Sequence, residues 1–166
     1  EPVGVVVRWD LPGGKEVRPI SKVEGGWINK AMAAPRPLYR LPDLKDAAVV
    51  VVCGGEKAAD AARALSYAAT TSAMGAKSPQ RTDWSPLAGK AVIILPDHDK
   101  AGENYAERVG GLLRALDPAI VIRVVRLPGL PEGGDVADFV ALRGGDAAAA
   151  RAEIESLIAA TPPEKA

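Results

Sequence analysis

AVIILPDHDKAG, residues 91–102, decides how the rest of the chain is read. Its apolar run, Ala91, Val92, Ile93, Ile94 and Leu95, is long enough for one buried strand and too short for a capped helix. Pro96 ends that strand because it has no N–H to give to a sheet. The strand therefore delivers Asp97 and Asp99 to its carboxyl end. Two carboxylates one residue apart repel each other by a few kcal/mol at an effective dielectric of about 20, so such a pair calls for a cation or another partner. Lys100, Gly102 and the helical pattern of residues 103–116 complete a unit of strand, acidic loop and helix. In open α/β sheets the ligand site lies outside the carboxyl ends of the strands, where these two acids fall.

Working outward, residues 47–53 (AAVVVVC) form the most continuous β-branched run and predict a central strand covered on both faces. Gly54-Gly55 permits a tight turn, and residues 56–69 read as a helix whose small face (Ala58, Ala61, Ala62, Leu65) can pack closely on a sheet. A Gly-Gly turn into a helix can accept a phosphate, but there is neither a Gly-Lys-Ser/Thr sequence nor a complete Gly-x-Gly-x-x-Gly, which leaves a nucleotide loop weakly supported. Residues 70–73 predict a short strand and residues 74–90 a long loop carrying Lys77, Arg81 and Trp84. Residues 119–127 (AIVIRVVRL) predict a fourth strand, followed by Gly134-Asp135-Val136-Ala137-Asp138, where Asp135 can cap a helix over 136–142 or serve as a ligand. Gly144-Gly145-Asp146 ends that helix and caps the last one, over 147–160. The alternation predicts a mainly parallel four-stranded sheet flanked by helices.

Upstream, residues 3–9 (VGVVVRW) and 16–20 read as a hairpin around Leu11-Pro12-Gly13-Gly14. Ala34-Pro35-Arg36-Pro37 then leads to a boundary near residues 41–45. The expected organisation is a small β-rich, basic lead-in (1–45), an α/β domain (46–160) and a fraying tail (161–166).

Composition narrows the class. The chain has 166 residues, 48% hydrophobic and 4% aromatic, which suits one compact α/β domain with a small appendage. Basic and acidic residues balance at 21 each, but residues 8–40 hold seven basic against three acidic and residues 41–166 fourteen against seventeen. A basic lead-in beside an acidic body suits a polyanion presented to a metal site, and equally an ordinary variation of surface charge. Cys53 alone permits no internal disulfide and reads as a small buried core residue. No stretch of about 18 apolar residues is present, so no membrane association and a cytoplasmic location are expected.

Acidic positions now fall at successive strand ends, and their order matches a family. Cys53-Gly54-Gly55-Glu56-Lys57-Ala58-Ala59-Asp60, Thr82-Asp83-Trp84-Ser85-Pro86-Leu87-Ala88-Gly89, Leu95-Pro96-Asp97-His98-Asp99-Lys100-Ala101-Gly102 and Gly134-Asp135-Val136-Ala137-Asp138 together resemble the Toprim (Rossmann-like) domain, specifically that of primases of phages and other mobile elements. Leu38-Tyr39-Arg40-Leu41-Pro42 resembles the segment that precedes it. The resemblance implies Mg²⁺ (or Mn²⁺)-dependent nucleotidyl transfer that makes RNA primers from NTPs on a DNA template. It also implies zinc-ribbon and helicase domains flanking the module in a longer protein. By the same resemblance Asp97 and Asp99 are metal ligands, Asp135 matches the third acidic position with Asp138 beside it, and the two form the supporting part of the metal set. Lys57 and Lys100 would face phosphates, or be solvated helix-end charges, and Arg8, Lys15, Arg18, Arg36 and Arg40 would guide nucleic acid.

The chain departs from the pattern at one position. Where the family has Glu-Gly-Glu-Lys this sequence has Gly54-Gly55-Glu56-Lys57, so the expected catalytic glutamate is Gly54. Glu56 aligns with the second glutamate, where a helix-dipole role suits it better than catalysis unless the turn is rearranged. An inactive natural variant, an introduced substitution and a relocated acid all account for the glycine. Three other functions stay open: a silent nucleic-acid-binding or scaffolding module, a Toprim nicking nuclease, and a phosphohydrolase with Asp97 as nucleophile. The last is disfavoured because such enzymes place Asp-x-Asp on the first core strand. His98 is expected as an exposed loop histidine, and Trp27 and Trp84 as local core anchors rather than base-stacking platforms.

Overall fold

A computed structural model describes residues 2–164, apart from the side chains of Arg8 and Lys15. The second half is a parallel sheet of four strands, β4 (Val49–Cys53), β5 (Ala69–Thr70), β6 (Ala91–Leu95) and β7 (Ile122–Val124), in the order β5-β4-β6-β7. Four helices flank it: α1 (Glu56–Ala64), α2 (Lys100–Leu116), α3 (Val136–Ala141) and α4 (Ala147–Ala160). β4 and β6 run side by side in register, Val49 opposite Ala91 and Cys53 opposite Leu95.

Strand geometry sends alternate side chains to opposite faces, and both faces are covered. Val51, Cys53, Ile93 and Leu95 pack under α1, α3 and α4, whose inward residues include Ala58, Ala62, Phe139 and Ile154. Val50, Val52, Val92 and Ile94 pack under α2, through Tyr105, Val109 and Leu113. Burial on both sides is why these strands carry no polar alternation. The small alanine face of α1 lets that helix sit close to the sheet, as its sequence predicts.

The lead-in is an antiparallel sheet of three strands, β1 (Gly4–Leu11), β2 (Gly14–Val23) and β3 (Gly26–Ile28), with β2 in the middle. It exceeds the hairpin expected from the sequence. β2 runs on through Pro19, which lies outside the Ser21–Val23 stretch that β3 pairs with, so the missing N–H falls in an edge portion. Trp27 is not a core anchor: it is 48% exposed on β3. Trp84 is one, buried with its indole N–H donating to the Pro79 carbonyl at 2.9 Å.

Three further expectations shift. α1 stops at Ala64, short of residue 69, because Ser66 turns left-handed (φ 65°) and its N–H closes on the Arg63 carbonyl, freeing Ala69–Thr70 to enter the sheet. Residues 74–90 are not an open loop. They fold into three short 3₁₀ turns tied to the proline-rich connection by Arg36 N–H to Arg81 O and Asp83 N–H to Arg36 O, both 2.7 Å. The tail is not loose over 161–164, where the Glu164 N–H donates to Ile122 O at 2.8 Å and Arg123 Nε donates to Thr161 O at 3.0 Å. Residues 165 and 166 lie outside the described residues. Among the described residues, no helix is long and apolar enough to cross a membrane.

Candidate functional site

The chain leaves β4 through α1 toward β5 on one side, and leaves β6 through α2 toward β7 on the other, with α1 and α2 on opposite faces of the sheet. The strand order therefore reverses between β4 and β6. At such a switch point the two outgoing connections diverge and leave a crevice at the carboxyl ends of the strands, the usual ligand site of open α/β sheets. Gly54 follows β4 into that crevice and Asp97 follows β6, one residue past Pro96.

Asp97 is the electrostatic centre of the crevice. Burial, then Asp135, then Asp99 oppose its charge, and the carboxyl is pushed up to about 6 even though Lys57 pulls the other way. Asp99 is the N-cap of α2: its Oδ1 accepts from the Gly102 N–H at 2.7 Å, leaving Oδ2 outside that bond. Gly102 is fixed by space, since a Cβ there would lie 2.1 Å from the Asp97 carbonyl oxygen. The spacing Asp-x-Asp-x-x-Gly thus folds the acidic loop tightly back onto the first turn of α2.

A second loop holds the first. The His98 N–H donates to Gly134 O at 2.8 Å, and the Gly133 N–H donates to His98 O at 3.0 Å, which brings the start of α3 against the acidic loop. His98 keeps its side chain exposed, as expected. Asp135 caps α3, accepting from Ala137 N–H at 2.7 Å and Asp138 N–H at 3.2 Å, while Asp138 accepts from the Asp135 N–H at 3.0 Å. This reciprocal box satisfies orphan amides at the helix start. Lys57, on the first turn of α1, reaches across to Asp135 at 3.1 Å and Asp138 at 3.5 Å. Burial works against the Lys57 charge, but Asp135 and then Asp138 hold its ammonium above the ordinary lysine value. The structure thus joins the ends of β4, β6 and the loop before α3 through four aspartates and one lysine.

The other sequence-derived candidates fall elsewhere. Glu56 begins α1, is half-buried, and is pushed up by burial and then by Asp60. It lines a separate cavity of about 680 Å³ between the lead-in sheet and residues 36–42, whose lining includes none of the four aspartates. Lys100 is exposed at the start of α2. Arg18 is exposed and paired with Glu16, and Arg40 is exposed over the Tyr39 ring at 5.6 Å. Arg36 is no surface guide for nucleic acid: it is buried, donating to Met32 O at 2.8 Å and Ser78 Oγ at 3.3 Å. The side chains of Arg8 and Lys15 lie outside the described set.

Sequence reasoning missed Tyr105. Its buried hydroxyl accepts from the Ser72 N–H at 3.2 Å and bonds Ser72 Oγ at 3.1 Å, anchoring the loop after β5 to α2 beside the site. A lone tyrosine among the apolar positions of a helix was the available signal.

Hard, acceptor-only carboxylates outnumber their single cationic partner here, which fits a magnesium-type cation in charge and donor chemistry. Among the described residues, no three acidic, histidine or cysteine side chains already stand as a closed cage. Asp135 and Asp138 are engaged by Lys57 as well as by backbone, whereas Asp97 and, through Oδ2, Asp99 could hold a cation.

No protein-family model matches the sequence, and no curated protein matches it. Solved structures do. A chain of the bacteriophage T7 assembly of lagging-strand DNA polymerase with primase domains bound to an RNA/DNA hybrid and dTTP superposes with a TM-score of 0.58 at 17% identity, over 97% of this chain and 79% of that one. A DNA primase domain from Pseudomonas aeruginosa matches with a TM-score of 0.54 at 20% identity, over 98% of this chain and 53% of its own length. The zinc-binding and RNA polymerase domains of the Aquifex aeolicus primase match with a TM-score of 0.58 at 17% identity, over 98% and 41%. What is shared at these identities is the fold. The chain has the α/β fold of primase domains, and it spans about half of the Pseudomonas domain.

Proposed function

We propose that this chain is a Toprim module of a phage or mobile-element DNA primase. In this reading it joins ribonucleotides on a DNA template, with the 3′-oxygen bonding to the incoming α-phosphorus and pyrophosphate leaving. The observation that carries the reading is the crowded Asp97 at the switch point of a primase-type sheet. A carboxylate that burial and neighbouring acids push up to about 6 gains from a bound cation more than an exposed one would. When bound, Mg²⁺ or Mn²⁺ would offset phosphate charge during the displacement. Asp97 and Asp99 would hold it. Asp135 and Asp138 would support it indirectly by fixing Lys57, whose ammonium would meet a phosphate oxygen. Lys100 lies one residue beyond Asp99 and would add charge at the rim. Arg8, Lys15, Arg18 and Arg40 of the lead-in would steer the template. Zinc-ribbon and helicase domains of a longer, cytoplasmic protein would be its partners.

A second reading has one observation in its favour. Position 54 has no carboxylate, which suits a catalytically silent nucleic-acid-binding or scaffolding module. Nicking nuclease chemistry would use the same acids with water in place of the 3′-hydroxyl. Incubating the chain with single-stranded DNA templates, labelled NTPs and Mn²⁺ separates the three. Labelled oligoribonucleotides that vanish in Asp97→Asn support the primase. Cleaved DNA that vanishes in the same variant indicates the nuclease. Template binding without either product indicates the silent module.

A further inference from the structure

Position 54 is buried, and its backbone is not among those with positive φ, so nothing in the local conformation calls for glycine. Space does. A Cβ built on Gly54 would lie 2.7 Å from both carboxylate oxygens of Asp97 and 2.8 Å from its Cγ, closer than real Cβ atoms come to any heavy atom. The Asp97 carboxylate lies across the end of β4, in the volume that a side chain leaving that strand would fill. Gly55, one residue on, has open space around its own Cβ position, so the restriction belongs to position 54 alone.

Resting on the metal reading above, we propose that Gly54 is a positioning residue for Asp97. Its missing side chain seats one carboxylate over the junction of β4 and β6, so that this acid serves where a β4-end acid and a β6-end acid would otherwise both project. The glycine is then part of a working arrangement rather than the scar of a lost one. A side chain added at 54 drives the Asp97 carboxylate out of the crevice, and an acid added there replaces Asp97 instead of supplementing it.

The test uses the whole chain, with Mn²⁺ alone as the titrant in calorimetry and urea unfolding alongside. Gly54→Ala is expected to weaken Mn²⁺ binding by about tenfold or more, in the range seen when a group that orients a metal ligand is removed. It should also lower the urea midpoint. Adding Asp97→Ala to Gly54→Ala should recover the midpoint but not the Mn²⁺ affinity. The exchanged pair, Gly54→Asp with Asp97→Ala, should recover the affinity, an outcome that simple relief of packing would not produce. Unchanged Mn²⁺ affinity in Gly54→Ala would overturn the proposal. So would equal costs of Gly54→Ala with and without Asp97, since residues in contact should be non-additive. Should Gly54→Ala not fold, the exchanged pair decides: folded with Mn²⁺ affinity it supports the proposal, folded without it the proposal fails. A parent chain that takes up no Mn²⁺ would end the metal reading, while non-additivity in urea would still establish Asp97's seat over β4.

Discussion

Replacing Asp97 by asparagine should make the protein more stable at neutral and alkaline pH, the reverse of what removal of a structural acid does. The carboxyl is raised from 3.8 to about 6 by burial and by Asp135 and Asp99. A group whose folded pKa is raised lends stability in full below its unfolded value, and that stability is lost as pH climbs through the folded value. At about 1.4 kcal/mol per pH unit the shift sets a ceiling of about 3 kcal/mol, and because Asp97 is only partly buried, solvent screening brings the expected value to about 1–2 kcal/mol. Urea unfolding of the parent should therefore show a decline between about pH 4 and pH 7 that Asp97→Asn lacks, the variant being the more stable at pH 8. For a domain of this size that corresponds to roughly 2–8 °C in Tm. Glu56, also raised by burial, contributes a slope of the same sign to both proteins, so their difference isolates Asp97. Mg²⁺ at pH 8 should narrow the gap by stabilising the parent alone. An asparagine variant less stable than the parent at pH 8, or one with the parent's pH slope, would refute the reasoning.

Three further perturbations probe the supports of the site. Gly102→Ala places a methyl 2.1 Å from the Asp97 carbonyl and should cost about 1–3 kcal/mol or more as the acidic loop lifts from α2; a change within about 0.5 kcal/mol in chemical denaturation would show that the loop gives way freely. Lys57→Met removes the cation shared by Asp135 and Asp138 and should move the Asp97 carboxyl still higher, visible as a later titration by carboxyl NMR; an unmoved titration would exclude Lys57 from the crevice's field. Tyr105→Phe should cost about 1–2 kcal/mol, because the Ser72 N–H and hydroxyl lose a buried partner, and should speed hydrogen exchange in residues 71–75; unchanged exchange there would mean the loop is held by other bonds.

The sheet was legible because its strands are buried on both faces, and unbroken runs such as residues 47–53 and 91–95 have few other uses. Strand ends were read less well. Residues 119–127 look like one long strand, yet β7 proper is Ile122–Val124, with Val92 N–H to Val121 O and Val125 N–H to Ile94 O marking the limits of its pairing. The end of α1 was hidden because a serine supplies the left-handed turn for which glycine is the usual marker. At the site, residue types revealed the acids but not their allegiances. Asp135 could be cap or ligand on paper, and only the meeting of α1 with α3 shows it capping one helix while gripping a lysine of the other. Arg36 carries a charge that sequence assigns to the surface, whereas its bonds to Met32 and Ser78 come from chain crossings no local pattern encodes. The glycine at 54 looked like a deletion of function because the atom that explains it belongs to a residue 43 positions away.

The two outer strands of the parallel sheet are both occupied along their free sides. Beyond β7 lie Thr161 and Glu164, the latter bonded to Ile122 and its carboxylate paired with Arg114. Beyond β5 lies Tyr39, whose N–H donates to Thr71 O at 3.1 Å and whose carbonyl accepts from Thr70 Oγ1 at 2.6 Å. A sheet this rich in valine and isoleucine would otherwise offer open ladders on which a second copy could continue the pairing. The segments before and after the α/β core therefore lie against both edges like selvedges, finishing the sheet at four strands.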